Sequence, residues 1–274
     1  MTTFDARNAD FPNVVDIPLA QVLLGATRIP ADMGINDTYY GEIQLGTGEI
    51  FRSYIKDLNI NELRNEILFY LLAKILQCPV ADSFIAFSRP NILATTHAPN
   101  VNNGSIVFAS KDQNLPSLKF ILNNNSVDAL NSAIIRICGF KNLDSIYAID
   151  FLLANIDRNI GNILLGDDDF VLIDHGRCFG FPDTNCLDLD ASKKYLSKVD
   201  LWLSPRIGEA AKNQIVRDAE NRSSKLTETI CESVFLAKLM QTLFSDLERN
   251  ALKNFLSDRK TRVRQLVSDS LGIV

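Results

Sequence analysis

The chain has 274 residues, 46% hydrophobic and 22% charged, with a formal net charge of -5. That is an ordinary globular balance with ample material for a core, enough for one large domain or two lobes. It excludes a nucleic-acid footprint, because basic residues cluster only at Arg259–Arg264, a run expected to be a solvated helix face.

The longest apolar run, Ile67–Leu72, is far too short to cross a bilayer. The five cysteines, Cys78, Cys138, Cys178, Cys186 and Cys231, are scattered and form no Cys-x-x-Cys. A reduced, cytoplasmic setting of bacterial type is expected, and the first residues show no apolar signal core. The two histidines, His97 and His175, come with no zinc ligand set.

In chain order, residues 1–13 are polar. Val14–Arg28 carries the aliphatics of a first strand. Ala31–Gly41 is broken by Gly34, Asn36 and Asp37 and reads as a loop. Glu42–Lys56 reads as a hairpin turning at Gly46-Thr-Gly48, with Lys56 at the end of its second strand. A strongly apolar helix follows over Asn61–Leu76 and carries Glu66. A glutamate near such a face needs a partner, and Lys56 would supply one. The plainer readings are a surface lysine and a glutamate on the helix rim. Pro79–Ser88 and Gly104–Ser110 read as strands, with a polar loop at His97–Asn103. Leu115–Asn125 reads as irregular near its end. From Ser126 the spacing turns helical, over Val127–Ile137 and Leu143–Ala154, with Ser126 and Asn142 as N-caps.

Two short apolar strands come next, Ile163–Leu165 and Phe170–Ile173, joined by an acidic turn at Gly166–Asp169. A hairpin this tight fixes Asn162 and Asp174 at its open end, and Asp157 lies on the loop just before it. The three acids at the turn are expected to be solvated turn residues, without metal. An EF-hand is ruled out, because its sixth and twelfth positions would be Ile160 and Gly166. Arg177–Asn185 is a loop. Helices are expected over Arg206–Arg222, Glu228–Phe244 and Leu247–Val267, with Trp202 as a packing residue.

Asp157, Asn162 and Asp174 suit phosphoryl transfer from ATP. One carboxylate orients the attacking hydroxyl, and an Asn and a second carboxylate hold Mg2+ against the phosphates. Asp157-Arg-Asn-Ile-Gly-Asn162-Ile-Leu followed by Leu-Ile-Asp174-His-Gly176 resembles the catalytic segment of bacterial HipA-like serine/threonine protein kinases. It is also similar to the corresponding segments of phosphoinositide kinases. The resemblance is thin from Leu19 onward and specific near Lys56–Glu66 and at Asp157–Gly176. Asn159 stands where related sequences often carry His, and His175 where many kinases carry Phe.

The resemblance implies a two-lobed α+β fold. Residues 1–115 would form a small antiparallel-sheet lobe, and 116–274 a larger helical lobe. It implies ATP and Mg2+, and a Ser/Thr hydroxyl of a protein as acceptor. Asp157, Lys56 and Asn162 would be catalytic. Lys56, Glu66, Gly34, Phe108, Ala109 and Ser110 would bind nucleotide, and Asn162 and Asp174 would bind metal. Such kinases include toxins neutralised by a DNA-binding antitoxin, so an antitoxin is a candidate partner, with no nucleic acid or membrane bound directly. Some autophosphorylate in the phosphate loop, where Thr38 is the candidate. The chain is expected to lack the extra N-terminal subdomain of the longest members. A small-molecule or lipid kinase and an ATP-binding regulatory pseudokinase are the alternatives.

Overall fold

A strand presents every second side chain to one face, and in the first part of this chain that face closes into an interior. The computed structural model describes residues 16–30 and 37–273. Its first elements are β1 (Leu19–Val22), β2 (Thr27–Arg28), β3 (Thr38–Leu45), β4 (Ile50–Lys56), α1 (Ile60–Ile75), β5 (Ser83–Ser88), β6 (Asn100–Val101) and β7 (Gly104–Lys111). β1 pairs with both β5 and β3, so the order β1–β5–β7–β4–β3 returns to β1 as a closed ring. The short β2 and β6 add to β3 and β7. The expected simple antiparallel sheet is therefore a barrel in which the β1–β5 pair is parallel. Closure removes the edge strands that an open sheet would expose.

Val22, Tyr39, Ile43, Ile55, Phe84, Ala86, Val107 and Ala109 fill the interior. The alternate residues face outward, and there Ile85 and Phe108 join the main core with α1. Asn59 caps α1, its side chain accepting from the N–H groups of Asn61 and Glu62. Every residue from Asn65 to Ala73 is buried. α1 can be apolar all round because the barrel covers one side and the helical part of the chain the other. Next to Lys56, the buried Asp57 carboxylate accepts backbone N–H groups of Thr96 (2.6 Å), His97 (3.1 Å) and Ala98 (2.6 Å). It thereby holds that loop against the barrel.

The rest of the chain is mainly helical: α2 (Leu118–Asn124), α3 (Val127–Cys138), α4 (Leu143–Leu152), the hairpin β8 (Ile163–Leu165) and β9 (Phe170–Leu172), then α5 (Val199–Trp202), α6 (Glu209–Ser224), α7 (Glu228–Leu236), α8 (Lys238–Leu243) and α9 (Asp246–Leu271). All of α4 is buried, packed between α6 and α9. Among the described residues, no helix is long and apolar enough to cross a membrane.

Several local expectations change. Leu118–Asn124 is a helix, because Ser117 caps it through Phe120 N–H (3.1 Å). Asn142 does not cap α4; its amide donates to Asp169 Oδ2 (2.8 Å) instead. Glu228–Phe244 divides at Ala237, whose ψ of 138° leaves the helical region. Arg259 is not on a solvated face. It is 1% exposed and donates to the carbonyls of Phe151, Ala191 and Lys193. A guanidinium with several donors can satisfy buried carbonyls that no regular element reaches.

Candidate active site

The loop after α4 is shaped by its own side chains. Asn155 donates to Asp150 Oδ1 (2.8 Å) and accepts from Asp157 N–H (3.1 Å). Asn159 accepts from Gly161 N–H (2.7 Å), and Asn162 Nδ2 donates to the Asp157 carbonyl (2.7 Å). With Nδ2 committed, Asn162 presents Oδ1 as its remaining ligand atom. The β8–β9 register, Ile163 opposite Leu172, puts Asn162 beside Ile173, whose N–H donates to the Asn162 carbonyl (3.2 Å). Asp174 follows with φ of 59°, a conformation uncommon outside glycine. The structure thus brings Asn162 and Asp174 to the same end of the hairpin.

Arg158 holds this end together from inside. Its side chain and that of Asp150 are both 0% exposed. The pair is bidentate, Nε to Oδ2 and Nη2 to Oδ1, both at 2.9 Å. Nη1 donates to the carbonyls of Asn162 (3.2 Å) and Ile173 (2.9 Å), so one guanidinium joins the loop before β8 to the residues that follow β9. Arg158 is thus committed to a buried acid and to backbone carbonyls, and its guanidinium does not face solvent.

His175 lies flat on Phe69, ring centres 3.6 Å apart, with Nδ1 3.2 Å from Arg158 Nη2. An arginine can only donate, so Nδ1 accepts and the ring is neutral. Burial first, and then the positive charges of Arg158 and Lys56, hold its pKa well below the ordinary 6.5. The sign follows from linkage. Below pH 6.5 the unfolded chain takes up a proton that the folded chain refuses, so this contribution to stability is full above 6.5 and declines as pH falls. Urea midpoints measured from pH 7.5 to 5 should show a slope of up to about 1.4 kcal/mol per pH unit from this residue. His175→Phe should remove that part of the slope. An unchanged slope would mean that the ring is not buried neutral.

On the barrel side, Lys56 Nζ reaches Glu66 Oε1 (2.6 Å) and Asp174 Oδ1 (3.0 Å). Burial opposes a charge on Lys56, but Asp174 and then Glu66 outweigh it, so its pKa is raised and the ammonium stays charged. For Asp174 burial acts upward, but Lys56 outweighs it and the net shift is downward. Glu66 is raised, because its burial outweighs the pull of Lys56. The buried Asn65 amide donates to the carbonyls of Gly176 (2.9 Å) and Cys178 (3.0 Å). α1 is therefore tied to the segment after Asp174 through the Asn65 side chain, and to Asp174 itself through Glu66 and Lys56.

Asp157 is 21% exposed in its side chain and ion-paired with Lys198 Nζ. Lys198 immediately precedes α5, which is tied back to the loop before β8 by Trp202 Nε1 donating to the Arg158 carbonyl (2.9 Å). Trp202 is thus an anchor as well as a packing residue.

Gly34 lies outside the described residues. Thr38 is the first residue of β3, opposite Lys56, rather than a loop residue. Phe108 lies across from Lys56 in register, which puts Phe108 and Ser110 on the Lys56 face of the sheet. Ala109 points into the barrel and does not share that face. The roles of Lys198, Asn65 and Asp150 were missed from sequence. Asn65 had one signal, its place beside Glu66.

Oxygen donors from Asn162 and the half-exposed Asp174 carboxylate fit Mg2+, which takes one or two protein oxygens and completes its shell from phosphates and water. No group of three or more His, Cys, Asp or Glu able to hold a metal by itself occurs among the described residues.

No protein-family model matches the chain, and no curated protein matches it either. Its structure is similar to the crystal structure of a Helicobacter pylori proinflammatory kinase, CtkA, with a TM-score of 0.52 and 14% sequence identity, over 85% of this chain and 94% of that one. At that identity the likeness speaks to the fold, and the chain has a kinase-like fold: a strand-rich first part, a helical second part, and the Lys56–Glu66 pair meeting Asp174 between them.

Proposed function

We propose that the chain is an ATP-dependent phosphotransferase, a HipA-like kinase acting on a Ser/Thr hydroxyl of a protein. The observation that carries this reading is the convergence of Lys56, Glu66 and Asp174 through direct ion pairs, next to the loop holding Asn162 and Asp157. Lys56 would contact the ATP phosphates, with Glu66 keeping it in place once Asp174 turns to metal. Asn162 and Asp174 would hold Mg2+, which supplies neutralisation of phosphate charge. Asp157 would orient the acceptor hydroxyl and take its proton. The acceptor oxygen bonds the γ-phosphorus, the bond from that phosphorus to the bridging oxygen breaks, and its electron pair leaves with ADP. Positioning and charge neutralisation supply most of the rate, as little covalent chemistry falls to the protein.

The test is incubation with ATP and Mg2+, alone and with a bacterial lysate, followed by mass spectrometry for phosphate. Phosphate on Ser or Thr supports the reading, and phosphate on a lipid or small molecule would replace the acceptor class. Tight ATP binding with no transfer would leave a nucleotide-binding regulatory protein. Lys56→Met is expected to weaken ATP·Mg2+ binding by about tenfold or more, since a charge-assisted contact is lost and two carboxylates are left facing the phosphates. Calorimetry reads this directly, and unchanged affinity would remove Lys56 from the nucleotide site.

A further inference from the structure

The catalytic loop of this chain has no cation facing the cleft. Between Asp157 and Asn162 its only basic residue is Arg158, which is buried on Asp150. Asn159 is neutral, and its amide bonds within the loop to the Asp157 carbonyl and Gly161 N–H. Phosphoryl transfer spreads negative charge over the γ-oxygens, and an uncompensated charge of that kind is costly in a partly desolvated cleft. Lys56 stands on the Asp174 side of the site. On the Asp157 side, the cation in contact is Lys198.

We infer that Lys198 is a catalytic residue that contacts the transferring γ-phosphoryl group, supplied from outside the catalytic loop. This rests on the kinase reading above. An acceptor oxygen oriented by Asp157 sits ~2.6–3.2 Å from the carboxylate, and the phosphorus it attacks is one bond further on. An ammonium bonded to the same carboxylate is therefore within reach of a γ-oxygen after a rotamer change. The base of Lys198 is fixed, and its tip is held by the Asp157 carboxylate alone among the contacts of the described residues. Val199 and Leu203 are fully buried, Trp202 is bonded to the catalytic loop, and Asp200 accepts from Ser270 and Ser204, while the Lys198 side chain is 51% exposed. Asp157 holds the ammonium beside the position proposed for the acceptor hydroxyl.

The experiment compares ATP·Mg2+ with ADP·Mg2+ binding by calorimetry, together with kcat and KM for ATP consumption, in wild type, Lys198→Ala, Lys198→Arg and Lys119→Ala. Lys119 is an exposed lysine at the start of α2, whose backbone N–H donates to the Ile160 carbonyl of the same loop, and it controls for general positive charge. Lys198→Ala is expected to lower the ATP-over-ADP affinity ratio by about tenfold with ADP affinity unchanged, because only ATP carries the γ-phosphate. It should lower kcat by on the order of a hundredfold with a smaller effect on KM. Lys198→Arg should recover at least about tenfold of the kcat loss, since it keeps the charge. An unchanged affinity ratio, a faster Lys198→Ala enzyme, or an equal loss in Lys119→Ala would each overturn the assignment. A wild type that binds ATP but turns over none, with the affinity ratio still falling in Lys198→Ala, would sink catalysis and keep the Lys198 contact. A wild type that binds neither nucleotide would sink the kinase reading and this inference with it.

Discussion

Asp157→Ala and Asp174→Ala should each reduce phosphoryl transfer by at least about a thousandfold while leaving the protein folded. Their routes to that loss differ. Among the described residues the Asp157 side chain is bound only to Lys198, at the surface of the cleft, so its removal takes away the group proposed to orient the acceptor and costs little stability. Nucleotide affinity should stay within a few-fold of wild type. Asp174 faces Lys56 and belongs to the proposed metal site, so its removal should abolish the Mg2+ dependence of ATP binding. Calorimetry with and without Mg2+ separates the two variants before any turnover is measured. Transfer at the wild-type rate in Asp157→Ala would sink the role given to that carboxylate.

Arg158→Ala should be the most destabilising single substitution around the site. It strands the fully buried Asp150 and frees the carbonyls of Asn162 and Ile173. Breaking a buried pair by removing one partner costs ~3–5 kcal/mol, which for a chain of this size corresponds to a fall in Tm of roughly 10 °C. Removing both charges tests the cause. Asp150→Leu combined with Arg158→Leu should regain much of that stability, because no buried charge is left alone. It should not regain transfer, because the carbonyls of Asn162 and of Ile173, next to Asp174, lose the guanidinium that joins them. Recovery of both properties would show that Arg158 is a core residue without a positioning role. A shift in Tm below about 3 °C for Arg158→Ala would contradict the buried pair itself.

Burial of His175 makes this same cluster sensitive to acid. Arg158 and His175 share a contact on the face of Phe69, so a proton on the ring would set two cations side by side without water. A Phe at that position would keep the stacking and lose the acceptor for Arg158. The departure from the usual aromatic thus has a structural account in this chain, as a bond to the arginine that ties the loop.

What the sequence determined by itself was local. The β8–β9 hairpin was legible because its two apolar runs flank a short acidic turn, and a tight turn leaves one register open to it. That register is enough to put Asn162 near Asp174. The Lys56–Glu66 pair was legible because a glutamate on an apolar helix needs a cation, and one stood at the end of the preceding strand. Tertiary structure decided what depended on long separations. Closure of the barrel needs β1 to find both β5 and β3, and no local period encodes that. Arg259 reads as one basic residue among several until the carbonyls of Phe151, Ala191 and Lys193 surround it. Lys198 meets Asp157 across 41 residues of chain, at a point fixed by the buried packing of α5. Spacing along a sequence reports which residues share a face, but which faces meet is set by the burial of whole elements against one another, and that is visible only in the folded chain.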